Sequence, residues 1–295
     1  MLVTVLLALA ASVSYGVSDF AGAVAARRLR VIPATAVTYG VALVTLAALL
    51  AVVPGVWSSG SAMWGAAAGV AAVIGFVAFY AALAAGPMSL AAPLIAVLGS
   101  LVPVLVAVIV GETLPLLAWV AIGLAIVGAG LISVARRAEA PRLRPRTVVL
   151  SVVAGASLGL SVVFLDRVPA DSGITSAVVE VAVGVLALGA TLALMRMSPA
   201  VARAAGSLDG GAPSSGSRGR ALLVSVVAGV LLGVANAALV VALLGGSLAV
   251  VSVLVGLYPA ATILLARLVH GERISGVQLV GVVVAIGASV LLALA

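Results

Sequence analysis

The stretch "VGETLPLLAWVAIGLAIVGAG" (residues 110–130) interrupts one apolar run with a Gly-Glu pair and at once begins another. "HGERISGVQLVGVVVAIGAS" (270–289) repeats the plan. Runs of about 20 apolar residues that meet at a charged turn are two helices crossing a hydrocarbon core of about 30 Å and reversing at its surface. Glu112 and Glu272 stand 160 positions apart, and the same shift superposes Gly69 on Gly229, Gly86 on Gly246, Gly111 on Gly271, Ala125 on Ala285 and Ile126 on Ile286 without a gap. Ala, Val, Leu and Gly are abundant here, so the Gly-Glu pair and the unbroken register carry the reading of a duplicated unit.

Outward from these turns the composition agrees. The 295 residues are 65% hydrophobic and 8% charged, against roughly half and a quarter in soluble domains. Continuous apolar runs, rather than ten-residue alternating segments, select helices over a barrel, because lipid offers no partner to an unpaired backbone group. Breaks at Pro, Gly and Arg predict about ten spans: 2–26, 33–53, 62–85, 89–110, 115–135, 147–165, 173–195, 221–244, 247–269 and 274–295. The first lacks a basic leader region and reads as a span rather than a cleaved signal.

The basic segment "RRAEAPRLRPR" (136–146) divides the chain into units 1–135 and 147–295, and the segment 197–220, rich in Gly, Ser and Pro, reads as a flexible surface loop. Five spans per unit return the second copy to the membrane from the opposite face, which makes the repeat an inverted one. The expected fold is all-α, with two inverted five-helix repeats. Every basic residue is Arg. Thirteen lie in the loops after spans one, five, seven and nine, and Arg167 alone in the loops of the other face. By the positive-inside rule the Arg-rich loops are cytoplasmic and both chain ends outside.

Ionisable groups within spans cost roughly 2.5–3.5 kcal/mol on insertion scales, so each asks for a reason. Asp19 shares a helical face with Ser12, Tyr15 and Gly16 and is placed near the cytoplasmic end of its span, at a depth like that of Arg267, with which it could form a gate salt bridge. Structural partners for it would be Arg27 or Arg28. Glu180 sits among Val and Ala, about 10 Å inside its span at 1.5 Å per residue. A carboxyl in such surroundings favours its neutral form, as proton coupling requires, although a hydrogen bond to a neighbouring helix would also explain it. Uncharged candidates for binding are Tyr39, Tyr80, Asn236 and Tyr258 with Pro259; Pro93, Pro103 and Pro259 each free a carbonyl or merely kink a helix. At the Gly-Glu turns the structural reading is that Gly closes one helix and Glu112 or Glu272 favours the start of the next.

Tyr258 to Leu292, with Pro259, Gly271, Glu272, Gln278 and Gly281, resembles the end of an EamA-type repeat of the drug/metabolite transporter superfamily, and residues 11–28 resemble its opening span. The first half has Gly111 and Glu112, but carries Pro103 where the register of Pro259 points to Gly99. The resemblance implies a ten-helix carrier of amino acids or amphipathic metabolites by alternating access, commonly an exporter in the cytoplasmic membrane, with protons as the candidate coupling ion. In several such carriers both ends are cytoplasmic; the Arg asymmetry decides for the outside here. A multidrug efflux carrier, a lipid flippase and a scaffold without turnover are the alternatives. With one His (His270) and no Cys, the chain has no recognisable catalytic set and no metal site, so no enzyme, no cofactor and no nucleic-acid partner are expected.

Overall fold

The computed structural model describes residues 2–85, 88–133, 145–209, 217–258, 260–262, 264–265 and 276–294. Pro259, Arg267, Gly271 and Glu272, singled out from the sequence, lie outside them. Among the described residues the chain is helical throughout, without a strand: α1 (Leu2–Leu29), α2 (Val31–Leu49), α3 (Ser59–Ala85), α4 (Met88–Ile109), α5 (Leu116–Ser133), α6 (Pro145–Asp166), α7 (Thr175–Met197), α8 (Pro199–Gly206), α9 (Arg218–Leu244), α10 (Leu248–Val255) and α11 (Gly276–Leu294). Six of these, α1, α2, α3, α6, α7 and α9, are long and apolar enough to cross a membrane. Shorter apolar stretches cover Leu94–Ile109, Leu116–Gly128 and Leu248–Thr262.

Neighbours recur in pairs. α1 lies along α9 as α6 lies along α3, α2 meets α9 as α7 meets α3, and α5 packs on α11. The duplicated glycines set two of these contacts. A Cβ built on Gly69 would stand 2.5 Å from the Glu180 carbonyl oxygen of α7, and one on Gly229 would stand 2.6 Å from that of Thr38 on α2. Only hydrogen at these positions lets the backbones approach so closely, which is how helices associate where lipid supplies no hydrophobic drive.

Contacts at the helix ends show the inversion. On one face Thr4 bonds the Gly245 carbonyl (3.0 Å), Val56 N–H donates to Asp171 (2.9 Å), and Ser247 meets Glu112. At the other, Arg27 donates to the Leu83 carbonyl (3.1 Å), Asp209 receives Arg30 and Val31, and Arg146 reaches the Ser207 carbonyl. Thus α1 starts on the first face and α6, the opening helix of the second half, starts on the second.

The first Gly-Glu turn is a Schellman closure. Gly111 takes φ +92°, its N–H bonds the Val108 carbonyl (3.0 Å), and the Glu112 N–H bonds that of Ala107 (2.9 Å), satisfying the last carbonyls of α4. The Glu112 side chain does not serve the next helix, α5. It accepts from Ser247, the N-cap of α10 in the other half, whose Oγ in turn receives the Val250 N–H (3.3 Å). Burial raises the Glu112 carboxyl above its ordinary range, opposed by the Ala249 N–H and reinforced by Asp166.

Segment 197–220, expected to be loop, contains α8, capped by Ser198 with Pro199 in its first turn. Beyond it Asp209 binds Arg30 Nε at 3.2 Å and the Val31 N–H at 2.9 Å. It thereby clamps the α1–α2 corner, where Arg30 holds φ 74°, the one non-Gly positive φ among the described residues.

Candidate functional site

Between the two halves lies a cavity of about 90 Å³ walled by α1, α3, α4, α6, α7, α9 and the α10 end. That is well above the roughly 10–15 Å³ needed to enclose one water. Tyr15, Asp19, Glu180, Asn236 and Tyr258, five of the candidates read from the sequence, line it. α1 runs on to Leu29, ten residues beyond Asp19, about 15 Å along the helix axis. Tyr39 and Tyr80 lie outside the lining. The Tyr39 ring lies against Gly184 of α7 and edge-on to Phe76 at 5.6 Å, and Tyr80 lies against Gly22 of α1. Both support the wall from behind.

The polar atoms are tied across helices. Tyr15 Oη donates to Asn236 Oδ1, joining α1 to α9. Ser161 Oγ donates to Glu180 Oε1 at 2.9 Å, joining α6 to α7. Ser100 donates to the Ser252 carbonyl (3.3 Å) and Thr262 to that of Gly16 (3.1 Å). Three buried atoms of the lining are left without a hydrogen-bond partner: Asp19 Oδ1, Glu180 Oε2 and Tyr258 Oη. Since buried polar groups are seldom unpaired, three around one space mark it as a place for water, solute or both. Phe76 adds a ring to those of Tyr15 and Tyr258, and no basic side chain lines the cavity among the described residues.

Sequence reasoning missed Ser100, Ser161 and Ser252. A serine in an apolar span is common and bonds its own helix as often as another, so no spacing distinguishes Ser161, whose role appears only where α6 and α7 meet. Among the described residues no cluster of His, Cys, Asp or Glu could hold a metal ion.

The model of the EamA-like transporter family matches residues 2–134 and again 145–294. A comparison with curated proteins gave no match. One solved crystal structure aligns with a TM-score of 0.71 over 99% of this chain and 96% of its own, at 19% identity, a likeness of fold alone.

Proposed function

The chain belongs to the EamA-like transporter family of the drug/metabolite superfamily, whose members are membrane transporters rather than enzymes, and on that premise we propose that it exports a small amine-bearing amphipathic metabolite in exchange for protons. The observation that carries this reading is the lining: two carboxyl groups and three aromatic rings around one buried cavity without a basic side chain among the described residues. An organic ammonium loses least on leaving water where a carboxylate and ring faces receive it. Among the described lining residues no cation would meet the α-carboxylate of an amino acid. Glu180, oriented by Ser161 through one oxygen, keeps the other for either a proton or the cationic solute, and a site that holds one or the other couples their movements.

Ten spans, rocking of the units 1–135 and 147–295 about a midplane site, a cytoplasmic-membrane location, Arg-rich loops inside and both ends outside belong to the same proposal. Alternate exposure of a mid-depth site is what inverted repeats perform. The test uses proteoliposomes, a pH gradient and phenyltrimethylammonium, a cation that does not cross lipid unaided. Gradient-driven movement of the cation, with none of benzenesulfonate, an anion that stays charged, is expected, and Glu180→Gln should lower it at least tenfold while the protein elutes as a single species. Movement of benzenesulfonate instead, or a cation flux that survives Glu180→Gln, would refute the site. An untargeted comparison of compounds released by cells with and without the protein tests the direction.

A further inference from the structure

The helix that opens the last part of the chain is broken at the central cavity. α10 stops at Val255, and beyond it the backbone ladder tightens: the Tyr258 N–H bonds the Val255 carbonyl (3.1 Å) and the Ala260 N–H that of Leu257 (3.0 Å). Pro259 brings no N–H with which to continue the α-helical pattern. Unwound backbone within a bundle of spans is tolerated where it lines a cavity, and there it meets ligands. Gly256 and Tyr258 do line this one.

α1 is set directly on the break. A Cβ built on Gly16 would run into the Tyr258 carbonyl oxygen, so only hydrogen fits between the two backbones. Thr262 Oγ1 donates to the Gly16 carbonyl (3.1 Å) and fastens the contact. Asp19 follows Gly16 by three residues and so shares its face of α1, and the charge of Asp19 is felt at the Tyr258 hydroxyl.

These two side chains have nothing to bind. Asp19 Oδ1 and Tyr258 Oη are buried in the cavity lining without a hydrogen-bond partner, and among the described residues no ion pair reaches Asp19. The hydroxyls around them are already committed: Tyr15 to Asn236, Ser161 to Glu180 and Ser100 to the Ser252 carbonyl. Two buried oxygens left over on adjoining elements call for a guest that donates to both.

From this pair of unpartnered oxygens, one on α1 and one at the break of α10, we infer that Asp19 and Tyr258 form the subsite for the head of the solute and select a primary ammonium over a quaternary one. The inference rests on the reading of the cavity as an ammonium site and adds which end of it takes the nitrogen. The Asp19 carboxylate receives the charge and one N–H, and Tyr258 Oη accepts a second N–H. A trimethylammonium carries the same charge but no N–H, so it leaves Tyr258 Oη buried and unpaired. A site made to bond an N–H rejects the analogue that lacks it for this reason. Glu180, which already has a donor in Ser161, is left to the proton.

The experiment is calorimetric titration of the purified full chain in neutral detergent, at neutral pH, with benzylammonium, benzyltrimethylammonium and benzenesulfonate, which share a ring. Benzylammonium should bind about tenfold more tightly than benzyltrimethylammonium, the factor expected for one hydrogen bond to a charged group. Tyr258→Phe keeps the ring and the packing on Gly16 and removes only the hydroxyl. It should weaken benzylammonium about tenfold and leave benzyltrimethylammonium unchanged, which separates the lost bond from the bulk of the methyl groups. Asp19→Asn should weaken both cations while the protein still elutes as a single species. Equal affinities for the two cations, or a ratio unchanged by Tyr258→Phe, would overturn the inference and leave the ammonium reading standing. Binding of neither cation, with or without benzenesulfonate, would refute that reading and the inference with it.

Discussion

A close helix contact near the cavity makes Gly69→Ala a decisive perturbation. Its new Cβ would meet the Glu180 carbonyl oxygen at 2.5 Å and the Val183 Cβ at 2.8 Å. The first of these is backbone and cannot swing aside, so α3 and α7 must separate. Overpacking of this kind costs about 1–3 kcal/mol, against a helix-propensity gain of up to about 1 kcal/mol for Gly to Ala. The clash outweighs the propensity, leaving a net loss of up to about 2 kcal/mol. Gly189 lies on the same helix as Glu180 with nothing within 4 Å of its built Cβ, so Gly189→Ala keeps only the gain. Thermal unfolding in detergent should rank the two on opposite sides of wild type. Gly229→Ala, facing the Thr38 carbonyl at 2.6 Å, should destabilise about as much as Gly69→Ala. The two differ in transport, because only Gly69 bears on the backbone that carries Glu180. If Gly69→Ala matches Gly189→Ala in stability, the close approach of α3 to α7 is not what holds the halves together.

Asp209→Ala removes an ion pair whose Arg30 partner is 53% exposed, worth under about 1 kcal/mol, and the acceptor of the Val31 N–H, worth about 1.5–3 kcal/mol as a charged hydrogen bond. A loss of about 2 kcal/mol and faster trypsin cleavage at Arg203 should result. A double-mutant cycle of Tyr15→Phe with Asn236→Ala should return a coupling near 0.6 kcal/mol, the average for polar pairs between membrane helices; a coupling of zero would remove this bond as the α1–α9 tie. Glu112, its carboxyl raised by burial, binds its proton more tightly folded than unfolded. Its contribution to stability is therefore full below the ordinary value near 4.3 and fades as pH rises through the raised one. Glu112→Gln should flatten stability in that window, measured by unfolding at a series of pH values.

Much of the architecture was legible in the chain because the bilayer is an undemanding reader: apolar runs of about 20 residues must become helices, since no other conformation satisfies their backbone there. The duplication was legible through Gly111-Glu112 and its echo 160 residues on. Less legible were features that depend on a partner far along the chain. α8 is eight residues, too short for a hydrophobic period to stand out among Gly, Ser and Pro. It is held in place by contacts to α7 and by the Asp209 clamp on Arg30 and Val31.

The site divides in the same way. Scarcity of charge in a lipid-facing chain singled out Asp19 and Glu180 from the sequence alone, because each must answer for its desolvation. Which tyrosines join them was decided by helix rotation. Tyr15 and Tyr258 line the cavity while Tyr39 and Tyr80 support it from behind, and all four look alike in an apolar run. The sequence by itself determined that this chain is a duplicated helical membrane protein, because run length and composition act locally. Only the tertiary structure decided that Glu112 accepts from the α10 cap Ser247 across 135 residues of separation, that Ser161 holds Glu180, and that an apolar recess opens between α2, α3, α6, α7 and α8. Each of those depends on how helices from different parts of the chain are set against one another.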